Sequence, residues 1–349
     1  MKRIGRPEDD FREKLTEGDI GRICEVHGLP RPTELIPEYR GNENVCYHLD
    51  GKLFIAFVIC EDIHWKVESL TLLDAINEIP TPHVIAWSEN DPELHVPYMI
   101  VERCPGHRLD ALWTNTTAEQ HVDILEAFGA DTGRYHTVSS TVLRERAHKL
   151  GLAHRVRHIE EPESRDDSSH VDSLPTLAVR LRRIGVEENG VVKRLEAHFS
   201  RTTRKQDDFI APGLVHTEPF AEHFFIQQTG TGYRLSGCVD LNFGVEDSLG
   251  EITSHYVSML SLGSAYFDAF KRGYERFFSF PPDAEERLRL EAIEHDLGNI
   301  LWLLDTMEDR PGWAFAKVWV SGHLRRLEGW LEPAKKTDRA LFREDIGPW

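Results

Sequence analysis

The chain has 349 residues, and its 59 Asp and Glu against 41 Lys and Arg leave a formal charge of −18 with His neutral. Partners that present phosphates, nucleic acid and anionic membrane surfaces, are met by clustered cations. No such cluster stands in this sequence, so the balance argues against both and suits a polar or cationic small molecule or a peptide.

At 40% apolar residues and this length, two lobes are expected rather than one core. No apolar run reaches eighteen residues and the start, Met1 to Glu17, is charged throughout, which predicts neither a membrane span nor a signal peptide and a cytoplasmic location. Cys24, Cys46, Cys60, Cys104 and Cys238 stand singly, without zinc or disulfide spacing.

In chain order, Asn44 to Asp50 and Lys52 to Cys60 flank Asp50-Gly51, a hairpin signal because the turn needs positive φ. Leu53 to Ile59 is apolar on both faces and reads as a central, covered strand. Val67, Leu70, Leu73 and Ile76 recur at three-residue steps, giving a helix over 63–78 that Pro80 and Pro82 terminate. The first hundred residues thus read as strands around one helix. Val96 to Val101 is a further strand running into Glu102-Arg103-Cys104-Pro105-Gly106, where the lobe boundary is placed. The expected division is residues 1–103 and 104–349.

Beyond it helical patterns dominate: 118–138, 174–200, 252–280, 283–307 and 313–331. Residues 155–172, with Glu160, Glu161, Glu163, Asp166 and Asp167, read as a mobile acidic surface insertion. The aromatic series Phe267, Phe270, Tyr274, Phe277 and Phe278 reads as core. The helical half is interrupted once, over 214–244, by a small hairpin, and loops on a rigid scaffold are where function concentrates.

That interruption reads Leu214-Val215-His216-Thr217-Glu218-Pro219-Phe220-Ala221-Glu222-His223, then a strand, a turn, and a second strand ending Cys238-Val239-Asp240-Leu241-Asn242-Phe243. It resembles the aminoglycoside phosphotransferase and choline kinase branch of the protein-kinase-like fold, in which a His-Gly-Asp loop, a later Asn and an Ile-Asp-Phe or Ile-Asp-Trp strand end recur. Asn42-Glu43-Asn44-Val45 falls where that family has its nucleotide-covering loop, Glu68 on its helix, Ile79-Pro80-Thr81-Pro82 at its proline pair, Glu102 to Cys104 at its hinge, and Gly133-Arg134-Tyr135-His136 at a helix end of the second lobe. The resemblance implies an α+β fold of two lobes: a small lobe with an antiparallel sheet and one helix, and a larger, mainly helical lobe.

Phosphoryl transfer asks the protein for position and charge more than for covalent chemistry. By resemblance Glu218 is the base, Asp240 the main Mg²⁺ ligand, His223 the second metal position, and Glu68 the partner of a nucleotide-positioning lysine. Asn44 and the main chain of Glu102 to Cys104 would meet ATP. His216 and Asp247 would support the loop, and Glu291, His295, Asp296 and Trp302 are weaker candidates for substrate contact.

The pattern departs from the family at three positions. The central strand has no lysine, its place falling to Ala56 or Phe57, which leaves Glu68 an uncompensated negative charge; Lys66 is two positions from Glu68 and points elsewhere. The base is Glu rather than Asp, a displacement of about 1.5 Å, and about 1 Å of misplacement can cost on the order of a hundredfold in rate. His223 replaces an amide oxygen that Mg²⁺ prefers. Two readings stand. One is an atypical kinase acting on a hydroxyl of a small molecule or peptide, in natural-product maturation or resistance, whose missing cation comes from elsewhere. The other is a pseudokinase that holds a ligand or partner protein without turnover.

Overall fold

The turn at Asp50-Gly51 sets the first sheet. Both residues take positive φ, 49° and 63°, and the Lys52 N–H donates to the Leu49 carbonyl at 3.0 Å. The Asp50 carboxylate secures the turn by accepting from the N–H groups of Thr33 and Glu34, each at 2.8 Å. The computed structural model describes residues 11–12, 14–38, 44–59, 62–113, 115–160, 168–187, 190–200, 209–210, 212–240, 242–260, 263–309 and 316–331. The chain divides into two compact units. The first comprises Met1–Gly106, Thr141–Val156 and Leu235–Leu241, and the second His107–Ser140, Arg157–Arg234 and Asn242–Trp349.

In the first unit β1 (Leu35–Glu38), β2 (Asn44–Leu49), β3 (Leu53–Val58), β4 (Val84–Ser88) and β5 (Tyr98–Glu102) form an antiparallel sheet of order β1-β2-β3-β5-β4. The central strand β3 is covered on both faces, as its continuous apolar run predicts. Ile55 and Phe57 pack with Ile20, Ile23 and Cys24 of a helix over Glu17–Val26. On the other face Val58 packs with Ile63 and Val67 of the helix Ile63–Ile76.

The expectation of a single helix in this region is therefore corrected. The helix Glu17–Val26 starts at a capping box, Thr16 with Asp19, and its Arg22 grips Asp91 through two bonds of 3.1 and 2.7 Å. The helix Ile63–Ile76 opens on Asp62, which accepts from the His64 N–H at 2.9 Å, and closes at Asn77 in the left-handed region, φ 60°. Two later segments complete this unit. Within Leu235–Leu241 the Cys238 N–H donates to the Pro80 carbonyl at 2.7 Å and the Ser236 hydroxyl to that of Pro105 at 2.5 Å.

The second unit is mainly helical. The helices Ala118–His136 and Ser264–Tyr274 meet backbone to backbone: a Cβ on Gly129 would lie 2.0 Å from the Phe270 carbonyl oxygen, and one on Gly273 would lie 1.9 Å from that of Glu126. Phe267, Phe270 and Tyr274 are buried there, as the aromatic spacing predicts, while Phe277 is exposed. The long patterns at 174–200 and 252–280 each resolve into two helices, Ser168–Arg183 with Val191–Phe199 and Leu249–Leu260 with Ser264–Tyr274. Ala284–Asp309 and Ala316–Leu331 follow as single helices. Strands β6 (His107–Arg108) and β8 (Phe224–Thr229) pair antiparallel, as do β7 (Gly213–His216) and β10 (Phe243–Glu246); β9 (Gly232–Cys238) starts in this unit.

Part of the stretch read as an acidic insertion is helical, over Ala153–Glu160 and from Ser168, and Arg155 within it is buried. Glu161, Glu163, Asp166 and Asp167, like Asn42, Glu43 and Cys60, lie outside the described residues. Cys24, Cys46, Cys104 and Cys238 are buried free thiols, and burial pushes Cys46 and Cys104 each up to about 12. Among the described residues no helix is long and apolar enough to cross a membrane.

Candidate active site

The loop between β7 and β8 is built upward from one buried carboxylate. Glu251, on the helix Leu249–Leu260, has no exposed side-chain surface. It accepts from the Tyr135 hydroxyl, from His136 Nε2 at 2.9 Å and from the His216 main-chain N–H at 2.8 Å, with His255 Nε2 at 3.4 Å. Burial alone would raise its pKa, but the charge and hydrogen bond of His136, with those of His255, hold the carboxyl well below the usual range. His136 is fixed in turn by the Tyr274 hydroxyl at 2.8 Å. Gly213 lies so close to His136 that a Cβ would stand 1.9 Å from its carbonyl oxygen, so β7 can approach only without a side chain there.

On this footing the loop is tightly folded. The Glu218 N–H donates to His216 Nδ1 at 3.1 Å, which makes Nδ1 the lone-pair nitrogen of that ring. His223 Nδ1 donates to the Glu218 carbonyl at 2.8 Å, and the two imidazoles stack with centroids 5.7 Å apart. Thr217 donates to the Asn242 carbonyl through both N–H and hydroxyl, at 2.7 and 2.9 Å. Glu218 is thus held by its own main chain on both sides, with its side chain half-buried. Asp247 accepts from the N–H groups of Phe209 and Leu249, the latter at 2.8 Å, tying the start of the helix Leu249–Leu260.

A feature that sequence patterning does not reveal lies beside this loop. An apolar recess of about 390 Å³, open mouth included, is lined by Leu109, Trp113, Leu125, Pro219, Ala221 and Met259. Trp113 stacks flat on His121, centroids 4.2 Å apart, with Tyr266 edge-on to both.

The first unit holds Asp240, Asn44, Glu68, Glu102 and Cys104. Asp240 is exposed and takes φ 57°. A residue other than glycine in that region costs of order 1 kcal/mol or more and persists where the surroundings dictate it, often at functional sites. Its carboxylate offers the oxygen donor that Mg²⁺ prefers, whereas His223, in the second unit, offers a ring nitrogen that does not suit that ion. Among the described residues no group of three or more His, Cys, Asp or Glu could hold a metal. In the segment expected to form the hinge, the N–H groups of Glu102 and Arg103 donate to the carbonyls of His83 and Lys52, both at 2.9 Å, and Cys104 follows, buried. Asn44 opens β2 opposite Val58.

The register of β3 decides which residue stands where a lysine was expected. Phe57 faces the helix Glu17–Val26 and packs on Phe11, centroids 5.3 Å apart. Ala56 pairs with Met99 and lies two residues from Val58, on the face that meets Val67. The position is therefore Ala56. Glu68, next to Val67, is not the uncompensated charge expected: Arg155 Nε donates to its Oε2, and His154 Nε2 lies 3.0 Å from the same oxygen. Burial raises the Glu68 pKa, but the hydrogen bonds and charges of Arg155 and His154 outweigh it and the net shift is downward.

Of the weaker substrate candidates, Asp296 has its place in the core. It is fully buried and accepts from His323 Nδ1 at 2.8 Å, Arg326 Nη2 at 2.6 Å and Trp330 Nε1 at 3.0 Å, which leaves no face for a ligand. Trp302 is exposed, at 55%, and Glu291 and His295 are half-buried on the same helix.

Residues 61–291 match the phosphotransferase enzyme family. The chain belongs to that family. No curated protein matches it in sequence. Its fold is similar to that of wild-type aminoglycoside 2'-phosphotransferase-IIIa in complex with GDP, at 13% identity and TM-score 0.62, over 93% of this chain and 99% of that one. A thermostable mutant of APH(4)-Ia bound to ADP and hygromycin B is similar at 14% identity and TM-score 0.55, over 88% and 97%. Macrolide 2'-phosphotransferase MphH from Brachybacterium faecium is similar at 16% identity and TM-score 0.53, over 90% and 98%. The kinase-like two-lobed fold expected from the motifs is thereby established.

Proposed function

We propose that this protein is an atypical ATP-dependent phosphotransferase that phosphorylates a hydroxyl of a small molecule, polar or cationic and carrying an apolar portion. The observation that carries the reading is the ordered presentation of Glu218 on a loop braced through His216 by Glu251. A ligand-binding relic has no need for a main chain pinned on both sides of the residue that presents the carboxylate. Glu218 would orient the acceptor hydroxyl and take its proton as the new O–P bond forms and the bond to the leaving phosphate breaks. Asp240 would hold Mg²⁺, which when bound would supply positive charge to the phosphates. Main-chain groups of Glu102 to Cys104 would meet the adenine. The recess walled by Pro219 and Ala221 would hold the apolar portion of the acceptor.

The pseudokinase reading draws on Ala56, which puts a methyl group where a cation is needed. The two separate in a transfer assay with labelled ATP against a panel of hydroxyl acceptors. Glu218→Gln should lower turnover by about 10²–10⁴ with nucleotide affinity unchanged, and Asp240→Ala should lower both. Nucleotide binding without transfer to any acceptor would instead leave the pseudokinase reading.

A further inference from the structure

We propose that Arg155 is the phosphate-positioning cation of this protein, brought to Glu68 by the helix Ala153–Glu160 in place of a lysine on β3. The inference rests on the phosphotransferase reading and names the residue that completes its nucleotide side.

A nucleotide triphosphate cannot be held beside a lone carboxylate in a protein of charge −18; some cation has to stand at Glu68. The strand cannot provide it, since its helix-facing position is Ala56, only 2% exposed. Lys52 is exposed in the hairpin turn, and Lys66 lies two residues from Glu68, on a different side of the helix. Among the described residues, Arg155 is the cation that is placed at Glu68. It is 9% exposed, its guanidinium lies over the Trp65 ring at 5.0 Å, and it bonds Glu68 through Nε.

Bonding through Nε orients the group without engaging its far edge on Glu68. A guanidinium has five N–H donors in a planar fork, so the terminal amino groups keep the bidentate geometry that suits phosphate oxygens. Glu68 and the Trp65 ring would thus do for an arginine what a helix carboxylate ordinarily does for a lysine: hold one rotamer of a long side chain ready. His154, on the same carboxylate oxygen at 3.0 Å, is a second brace and not the phosphate contact, because its ring nitrogen is already directed at Glu68.

The test is calorimetric titration of the full chain with ATP plus Mg²⁺ and, separately, with adenosine. Melting temperatures confirm that each variant is folded. Arg155→Ala should weaken ATP binding by about ten- to hundredfold, the range for a charged hydrogen bond, while adenosine affinity moves by less than about twofold. An arginine that merely pins the helix Ile63–Ile76 would move both equally. Ala56→Lys added to Arg155→Ala should recover part of the ATP affinity, and the exposed Arg146→Ala, which removes the same charge from the same unit, should leave both ligands unchanged. Should Arg155→Ala not fold, Arg155→Lys carries the test: it keeps the charge, loses the fork, and should weaken ATP selectively and less. ATP affinity unchanged or tightened in Arg155→Ala overturns the proposal alone, leaving the phosphotransferase reading in place. A wild-type protein that binds adenosine but not ATP, or neither, overturns both.

Discussion

Glu251 and Glu68 are both carboxylates gripped by several side chains, but Glu251 has none of its side-chain surface exposed and Glu68 has a quarter of it, 25%. The buried acid accepts three hydrogen bonds from two separate stretches of chain, with His255 close by on its own helix, and the fold of the loop that presents Glu218 depends on them. The partly exposed acid has its two partners, His154 and Arg155, on one neighbouring segment, and its exposed quarter is open to solvent. An interaction of the second kind can change hands without collapse of the sheet; one of the first kind cannot. Of the chain's three departures from the pattern, the missing lysine on β3 falls in the unit of the exchangeable acid, while Glu218 and His223 sit on the loop whose footing on Glu251 stays whole.

The contrast can be broken first at its strong end. Glu251→Ala strips a fully buried carboxylate from Tyr135, His136 and the His216 N–H, and should cost about 3–5 kcal/mol of unfolding free energy in urea melts. A loss below about 1 kcal/mol would mean that the loop does not rest on it.

Acid gives the next largest effect. Glu251 and Asp296 both have folded pKa values below their unfolded ones, the first chiefly through His136 against the cost of burial, the second through Arg326 and His323 against the same cost. Their contribution is complete above the unfolded carboxyl pKa of about 4 and is lost as pH falls below it toward the folded values. The urea midpoint should therefore hold from pH 7 to about 5 and drop steeply below about 4, and Asp296→Asn should flatten that drop.

At the exchangeable end, Glu68→Ala should cost about 1–2 kcal/mol, because Arg155 loses a charged partner while part of the site is wet. A cost matching that of Glu251→Ala would erase the distinction. Smallest of all, Asp74→Ala, on the same helix but in an exposed pair with His83 at 3.1 Å, should change stability by less than about 0.5 kcal/mol.

What could be read from the sequence was what neighbours in sequence decide. The Asp50-Gly51 turn, the two-sided burial of β3 and the helix end before Pro80 follow from local backbone and pattern demands, and each is present. The helix Glu17–Val26 escaped because its apolar side, Ile20, Ile23 and Cys24, is short and set among charges. Arg155 escaped for a different reason. Its partner is 87 residues away, and its own surroundings in sequence have the composition of a solvated loop. Asp296 misled in the opposite sense, as an acid on a helix whose cover, Arg326 and Trp330, arrives from the helix that follows. The apolar recess is a shape made by four stretches of chain and has no signature in any one of them.

The first unit is assembled from three visits of the chain, and this has a consequence for its birth. When a ribosome has made Met1–Gly106 the sheet is complete, but Arg155 and the Cys238 N–H that meets Pro80 do not yet exist. At about 5–20 residues per second, the delay before Leu241 appears is on the order of ten seconds. For the first part of that interval, until Arg155 emerges, Glu68 is without its partners on a finished sheet, and the first unit becomes whole only when most of the protein has been translated.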